Sequence, residues 1–154
     1  MKPNSRKPEA GDLRERALAL LARREHTRAE LARKLAAGGF TAEDVRPLLD
    51  EFEARTWLSD RRFAESWVAD HRDRSGAIKL AFELRQHGVP EALIDDVLAD
   101  QRDNEAARAR SVWEKKFGVP PANPADRAKQ MRFLQGRGFA LDVIQHILRG
   151  RGED

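Results

Sequence analysis

One short unit occurs three times in this chain, each time with a glycine at its centre. Leu35 stands four residues before Gly39, and Phe40, Val45, Leu48 and Leu49 follow at one, six, nine and ten. Around Gly88 the matching residues are Leu84, Val89, Ile94, Val97 and Leu98. Around Gly138 they are Leu134, Phe139, Ile144, Ile147 and Leu148. The glycines lie 49 and 50 residues apart, and self-similarity at a period of about 20–50 residues is the mark of a repeat architecture.

Each part of the unit has a physical role. The leucine lies on the last turn of a helix. Glycine ends that helix, because it takes the left-handed conformation without a side-chain clash. The next apolar residue packs back on the finished turn. Thr41 is then a good N-cap and Pro90 a good first helical residue, whereas Ala140 is a weak start. Val45, Leu48, Leu49 and Phe52 fall at i, i+3, i+4 and i+7, one stripe of a second helix. The unit is helix, tight corner, helix.

Read in order, the chain opens with a leader, residues 1–11, of charges and prolines that suits disorder. Three modules follow at 12–58, 59–103 and 104–150, with a tail at 151–154. In the first module, helices are expected from about 12 to 25, 28 to 37 and 42 to 54, and Thr27 with Glu30 forms a capping box for the second. In the second, helices are expected at 61–72, 77–87 and 90–102, the first capped by Ser59 or Asp60. In the third, a helix opening near Asn104 carries Ala109, Val112, Trp113 and Phe117. A rigid Pro120-Pro121-Pro124 connection then leads to helices 125–136 and 141–149. Trp57, Phe63, Trp67, Trp113 and Phe117 sit beside leucines at helical spacing and read as core. The fold class is all-α. Each module is close to the size at which a lone core is marginal, so the three should stack as an elongated, curved repeat rod. A radius of gyration near the roughly 15 Å of a compact globule of this length would refute that shape.

Charge narrows the function classes. The net charge of +3 is unevenly spread. Residues 1–58 hold 12 basic and 10 acidic side chains, residues 59–101 hold 6 and 9, and residues 105–151 hold 10 and 4. A basic end beside an acidic middle suits nucleic acid or an acidic protein surface in one place and a protein contact elsewhere. Cysteine is absent, no run reaches the roughly 18 apolar residues of a membrane span, and no signal-peptide core is present. A cytoplasmic protein is therefore expected, with no membrane partner. Catalysis finds no support. Gly136-Arg137-Gly138 starts like a dinucleotide fingerprint, but Leu141 takes the third glycine position and no strand precedes it. His26, His71, His87 and His146 lack zinc-site spacing, and Asp95-Asp96 points its carboxylates about 100° apart on a helix. No cofactor or metal is expected, and no enzyme activity.

Three stretches resemble the RecX family, regulators of the RecA recombinase. Leu21-Ala22-Arg23-Arg24-Glu25-His26-Thr27-Arg28-Ala29-Glu30-Leu31-Ala32-Arg33-Lys34-Leu35 is similar to that family's opening motif. Trp57-Leu58-Ser59-Asp60-Arg61-Arg62-Phe63-Ala64-Glu65-Ser66-Trp67-Val68 resembles its most recognisable segment, G-Y-L-D-D-x-R-F-A. Gly76 to Val89, with Glu83-Leu84-Arg85 before Gly88, resembles G-P-x-R-I-x-x-E-L-R-x-K-G-I. The chain departs at Thr56-Trp57 for Gly-Tyr, Ser59 for Asp, Ala77 for Pro, Lys79 for Arg and Leu80 for Ile. The likeness spans about residues 13–150 and is least distinctive in the third module. It implies tandem three-helix modules and binding to the RecA–single-stranded-DNA filament, lodged in its helical groove. Strand exchange, ATP hydrolysis and coprotease activity would then be suppressed, by a monomer.

The candidate partner contacts are Arg61, Arg62, Arg72, Arg74, Lys79 and Arg85, since an arginine fork suits carboxylate and phosphate alike. Asp60 reads as a cap of the 61–72 helix rather than a recognition carboxylate. Arg127, Lys129, Arg132, Arg137, Arg149 and Arg151 have few acids nearby and are the candidate contacts to nucleic acid or an acidic surface. The competing function is a DNA-binding protein, because helix–corner–helix units resemble helix-turn-helix geometry. Against it, the would-be reading helices carry Glu43, Asp44, Asp50, Glu51 and Glu53, then Glu91, Asp95, Asp96 and Asp100. Those acids repel phosphate, so weaker contact with single- or double-stranded DNA belongs to the third module. A purely structural helical adaptor is the third alternative.

Overall fold

The computed structural model describes residues 10–149, and these hold nine α-helices. They are α1 (Ala10–Arg23), α2 (Arg28–Ala37), α3 (Ala42–Ala54), α4 (Asp60–His71), α5 (Ala77–Gln86), α6 (Glu91–Asp103), α7 (Glu105–Lys116), α8 (Pro124–Gly136) and α9 (Leu141–Leu148). The boundaries lie within a residue or two of those expected. The exception is the leader, since Ala10 and Gly11 already belong to α1. Its first nine residues, the 151–154 tail and Arg151 lie outside the described residues.

The glycine corners are built as the repeat requires. Gly39, Gly88 and Gly138 have φ of 94°, 86° and 87°. At the first, the Phe40 N–H donates to the Leu35 carbonyl (3.2 Å) and the Gly39 N–H to that of Ala36 (3.0 Å). At the third, Phe139 donates to Leu134 (3.2 Å) and Gly138 to Gln135 (2.9 Å). This double bond pattern is the Schellman motif, which satisfies carbonyls that the helix end leaves open. The expected capping box is present at the start of α2. Thr27 accepts from the Glu30 N–H (3.0 Å) and Glu30 accepts from the Thr27 N–H (3.3 Å).

By its contacts the chain forms two compact units. The first holds the residues up to 63 together with 87–89. Its core is Leu13, Ala17 and Leu20 of α1, Leu31 and Leu35 of α2, and Val45, Leu49 and Phe52 of α3, closed by Leu58. The segment 87–88 rests on the first turn of α2, where Thr27 Oγ1 donates to the His87 carbonyl (2.5 Å). A Cβ added at Gly88 would stand 2.5 Å from that of Ala29.

The second unit holds 64–86 and the residues from 90 onward. Ala64, Val68, Leu80, Leu84, Ile94 and Leu98 are buried in it. So is the cluster of Ala109, Val112, Trp113, Leu134, Phe139, Ile144, Ile147 and Leu148 from α7, α8 and α9. The 137–138 corner rests on the first turn of α5. Gly76 N–H donates to the Arg137 carbonyl (2.7 Å), and Ile78 N–H to that of Gly138 (3.1 Å). The same joint is thus used in both units, a glycine corner seated on a helix start.

Two expectations are corrected. Trp57 is not core but 42% exposed, lying against Phe52 with Arg14 and Arg55 over its ring. It follows the corner that ends α3, and such a residue packs on the last turn from outside. Asp60 does not cap α4. Ser59 does, accepting from the Arg62 N–H (3.1 Å), while the Asp60 carboxylate accepts from the Arg28 N–H at the start of α2 (2.8 Å). The other ring positions hold better, with Phe63 and Trp113 buried and Trp67 and Phe117 half-buried.

Candidate partner-binding surface

The cations singled out from the sequence divide by what already holds them. Arg62 is structural. Its Nε and Nη2 donate to Glu25 (2.6 and 3.2 Å), and the guanidinium also reaches the carbonyls of Thr56 (2.8 Å) and Trp57 (3.3 Å). This network ties the start of α4 to the α1–α2 connection. Arg61, on the preceding position of α4, is exposed. Asp60 beside them is pushed above the usual carboxylate range by burial, partly offset by the Arg28 N–H.

In the second unit, Arg72 and Arg74 are exposed, and their carbonyls accept from Arg108 Nε (3.0 Å) and Arg137 Nη1 (3.5 Å) respectively. Their side chains are left outside. Lys79 is half-buried because its backbone and Cβ face Gly138. Arg85 is exposed and pairs with Glu91, to which its Nε is bonded. Arg108, which the sequence did not single out, has its pKa lowered by burial as it crosses to the carbonyls of Arg72 and Ser75.

Of the basic set in the last third, Lys129, Arg132 and Arg149 are exposed and Arg127 is half-buried. Arg137 lies over the Phe133 ring at 5.2 Å, and Lys116 lies over the same ring at 5.4 Å. Phe117 meets that ring edge-on at 5.4 Å. Phe133 thus carries two cations on its face, a cation–π arrangement. Phe133 and Lys116 escaped the sequence reading because the interaction joins two helices. Among the described residues no three His, Asp or Glu side chains gather in a metal-binding group, and no helix is long and apolar enough to cross a membrane.

Comparison with known proteins identifies what carries these cations. Models of the first, second and third three-helix domains of RecX match residues 14–52, 59–98 and 103–148 in turn. The chain belongs to the RecX family. Among RecX relatives, the regulatory protein RecX of Ralstonia pickettii (strain 12J) is 46% identical over 92% of this chain and 89% of its own. That of Chromobacterium violaceum is 43% identical over 95% of each. Two RecX crystal structures share the fold. The RecX of Lactobacillus salivarius superposes with a TM-score of 0.81 at 18% identity, covering 91% of this chain and 94% of its own. A second superposes at 0.79 and 24%, covering 92% and 73%. The family is one of regulatory proteins, not enzymes.

RecX membership also explains one departure. Thr56 stands where the family prefers glycine, and it is the only non-glycine with positive φ, 61°, among the described residues. The α3 end is itself a Schellman corner, with Trp57 N–H on the Phe52 carbonyl (2.9 Å) and Thr56 N–H on that of Glu53 (3.0 Å).

Proposed function

We propose that this chain binds the RecA–single-stranded-DNA filament, in its helical groove, and inhibits strand exchange, ATP hydrolysis and coprotease activity. The observation that carries the reading is the match of three successive RecX three-helix domains along nearly the whole chain. The surface chemistry supports it. Arg72 and Arg74 keep exposed side chains after the fold has used their carbonyls, and the exposed Lys129, Arg132 and Arg149 add positive charge toward the other end of the sequence. RecA would be met by such cations in the cytoplasm, by a monomer. Arg62 and Arg85 belong to the same proposed contact set, and each would bring to the partner a side chain that also pairs within the chain, with Glu25 and Glu91.

The test is RecA ATPase and strand exchange at sub-stoichiometric protein, beside a titration of DNA alone. Inhibition at concentrations that leave free DNA unbound supports the regulator. Tight DNA binding with a steep salt slope and no filament effect would replace it with the DNA-binding reading. One observation favours that second reading locally, namely the Phe133 ring flanked by Lys116 and Arg137, since aromatic rings beside cations suit single strands.

A further inference from the structure

The three copies of the repeat act as controls for one another, and one place sets the first copy apart. Between α2 and α3 lies a cleft of about 400 Å³. Ala32, Ala36 and Ala42 line it with Phe40, Val45 and Leu49, and Arg28, Arg33 and Arg46 border it. Val45 and Leu49 correspond to Ile94 and Leu98, and to Ile144 and Leu148, and all six are buried. The floor is therefore common to every copy. The walls are not. Positions 36 and 42 correspond to Arg85 and Glu91, whose side chains are bonded to each other. In the third copy the two positions are Gln135 and Leu141, and Met131 replaces Ala32. Where the other copies span the gap or place bulkier side chains, the first has three alanines. Ala36 and Ala42 are exposed, so the core does not demand their small size.

Charge marks the same cleft. Arg28 is held by Asp50 (2.8 Å) and Glu53. Arg33 and Arg46 are exposed, and among the described residues neither has an ion-pair partner. At the position of Arg46 the other copies carry Asp95 and Gln145. Arg28 and Arg33 correspond to Ala77 and Phe82 in the second copy but to Arg127 and Arg132 in the third, so Arg46 is the border cation that only the open cleft carries.

We propose that the α2–α3 cleft docks an acidic amphipathic helix of a partner protein, its apolar side chains over the alanines and its carboxylates on Arg33 and Arg46. Along α2 the wall from Arg28 to Ala36 rises about 12 Å, which matches the roughly 10.5 Å between anchors i and i+7 of a docked helix. Phosphate would satisfy the arginines but gain nothing from the apolar floor. The inference rests on the reading of the chain as a regulator that works through a protein partner, though not on which one.

The test uses the full chain labelled for amide NMR. It is titrated with a synthetic helix of about four turns, leucines at i, i+3, i+4 and i+7 and glutamates on the flanks. A second peptide with lysine for glutamate is the control. The acidic peptide should shift the amides of Ala32, Ala36, Ala42 and Val45, and the lysine peptide should not. Ala36→Arg with Ala42→Glu installs the Arg85–Glu91 bridge in the first copy and should weaken binding at least about tenfold with the melt unchanged. Arg33→Glu with Arg46→Glu, at exposed sites, should do the same and serves if the bridge variant misfolds. Equal binding of both peptides, shifts elsewhere, or insensitivity to these variants would overturn the proposal. So would the same amides answering a single-stranded oligonucleotide instead. RecA ATPase run on the same samples separates the readings. Inhibition without cleft binding sinks the cleft alone, and cleft binding without inhibition sinks the filament reading alone.

Discussion

Replacing Thr56 by glycine should stabilise this protein, although most substitutions do the reverse. Thr56 sits at φ 61° as the turning residue of the corner that ends α3. The left-handed region costs a non-glycine residue roughly 1–2 kcal/mol, and a β-branched side chain is a true outlier there. Glycine removes that cost and adds back about 0.5–1 kcal/mol through the freer unfolded chain. The substitution also loses the bond from Thr56 Oγ1 to the Arg55 carbonyl (2.6 Å), which is exposed and contributes little. The net is a gain of about 0.5–1 kcal/mol, a rise in melting temperature of about 1–4 °C. Thermal unfolding followed by circular dichroism reads it, with Thr56→Ala as the control that keeps the left-handed cost. A Thr56→Gly protein that melts below its parent, or an alanine variant that melts as high as the glycine one, would show that no strain resides there.

Two other perturbations probe the joints. Gly138→Ala places a Cβ 2.2 Å from that of Lys79 on a backbone at φ 87°, so it should cost at least about 2 kcal/mol and lower the melt visibly. An unchanged melt would mean that the corner does not need its glycine. Glu30 is the third site. Burial alone would raise its carboxyl, but Arg24 (2.9 Å), the Thr27 N–H and the nearby His87 hold it below its ordinary value of 4.5. Its charge therefore contributes stability above that value and loses it as pH falls through the folded pKa. Glu30→Gln should melt below the parent at neutral pH, with the gap closing under acid conditions. A gap that does not change with pH would place the effect in packing rather than charge.

Much of this fold was legible because its punctuation is local. A glycine corner or a capping box is settled by groups three to five residues apart, and sequence displays those distances directly. Gly39, Gly88, Gly138 and the Thr27–Glu30 box all belong to that class, and with them the helix boundaries and the repeat. Fold class and family follow from the same short-range record.

Tertiary structure decided the rest. The donor for Asp60 is the backbone of Arg28, 32 residues away, and no periodicity encodes such a pairing. Arg62 and Arg85 read like Arg72 and Arg74 in the sequence, and only the assembled structure shows that the first two pair with Glu25 and Glu91. Lys116 and Arg137 share a ring of another residue only because α7 and α8 are neighbours. The cleft beside α2 is likewise a volume left by three small side chains, and a volume exists only once the walls around it are assembled.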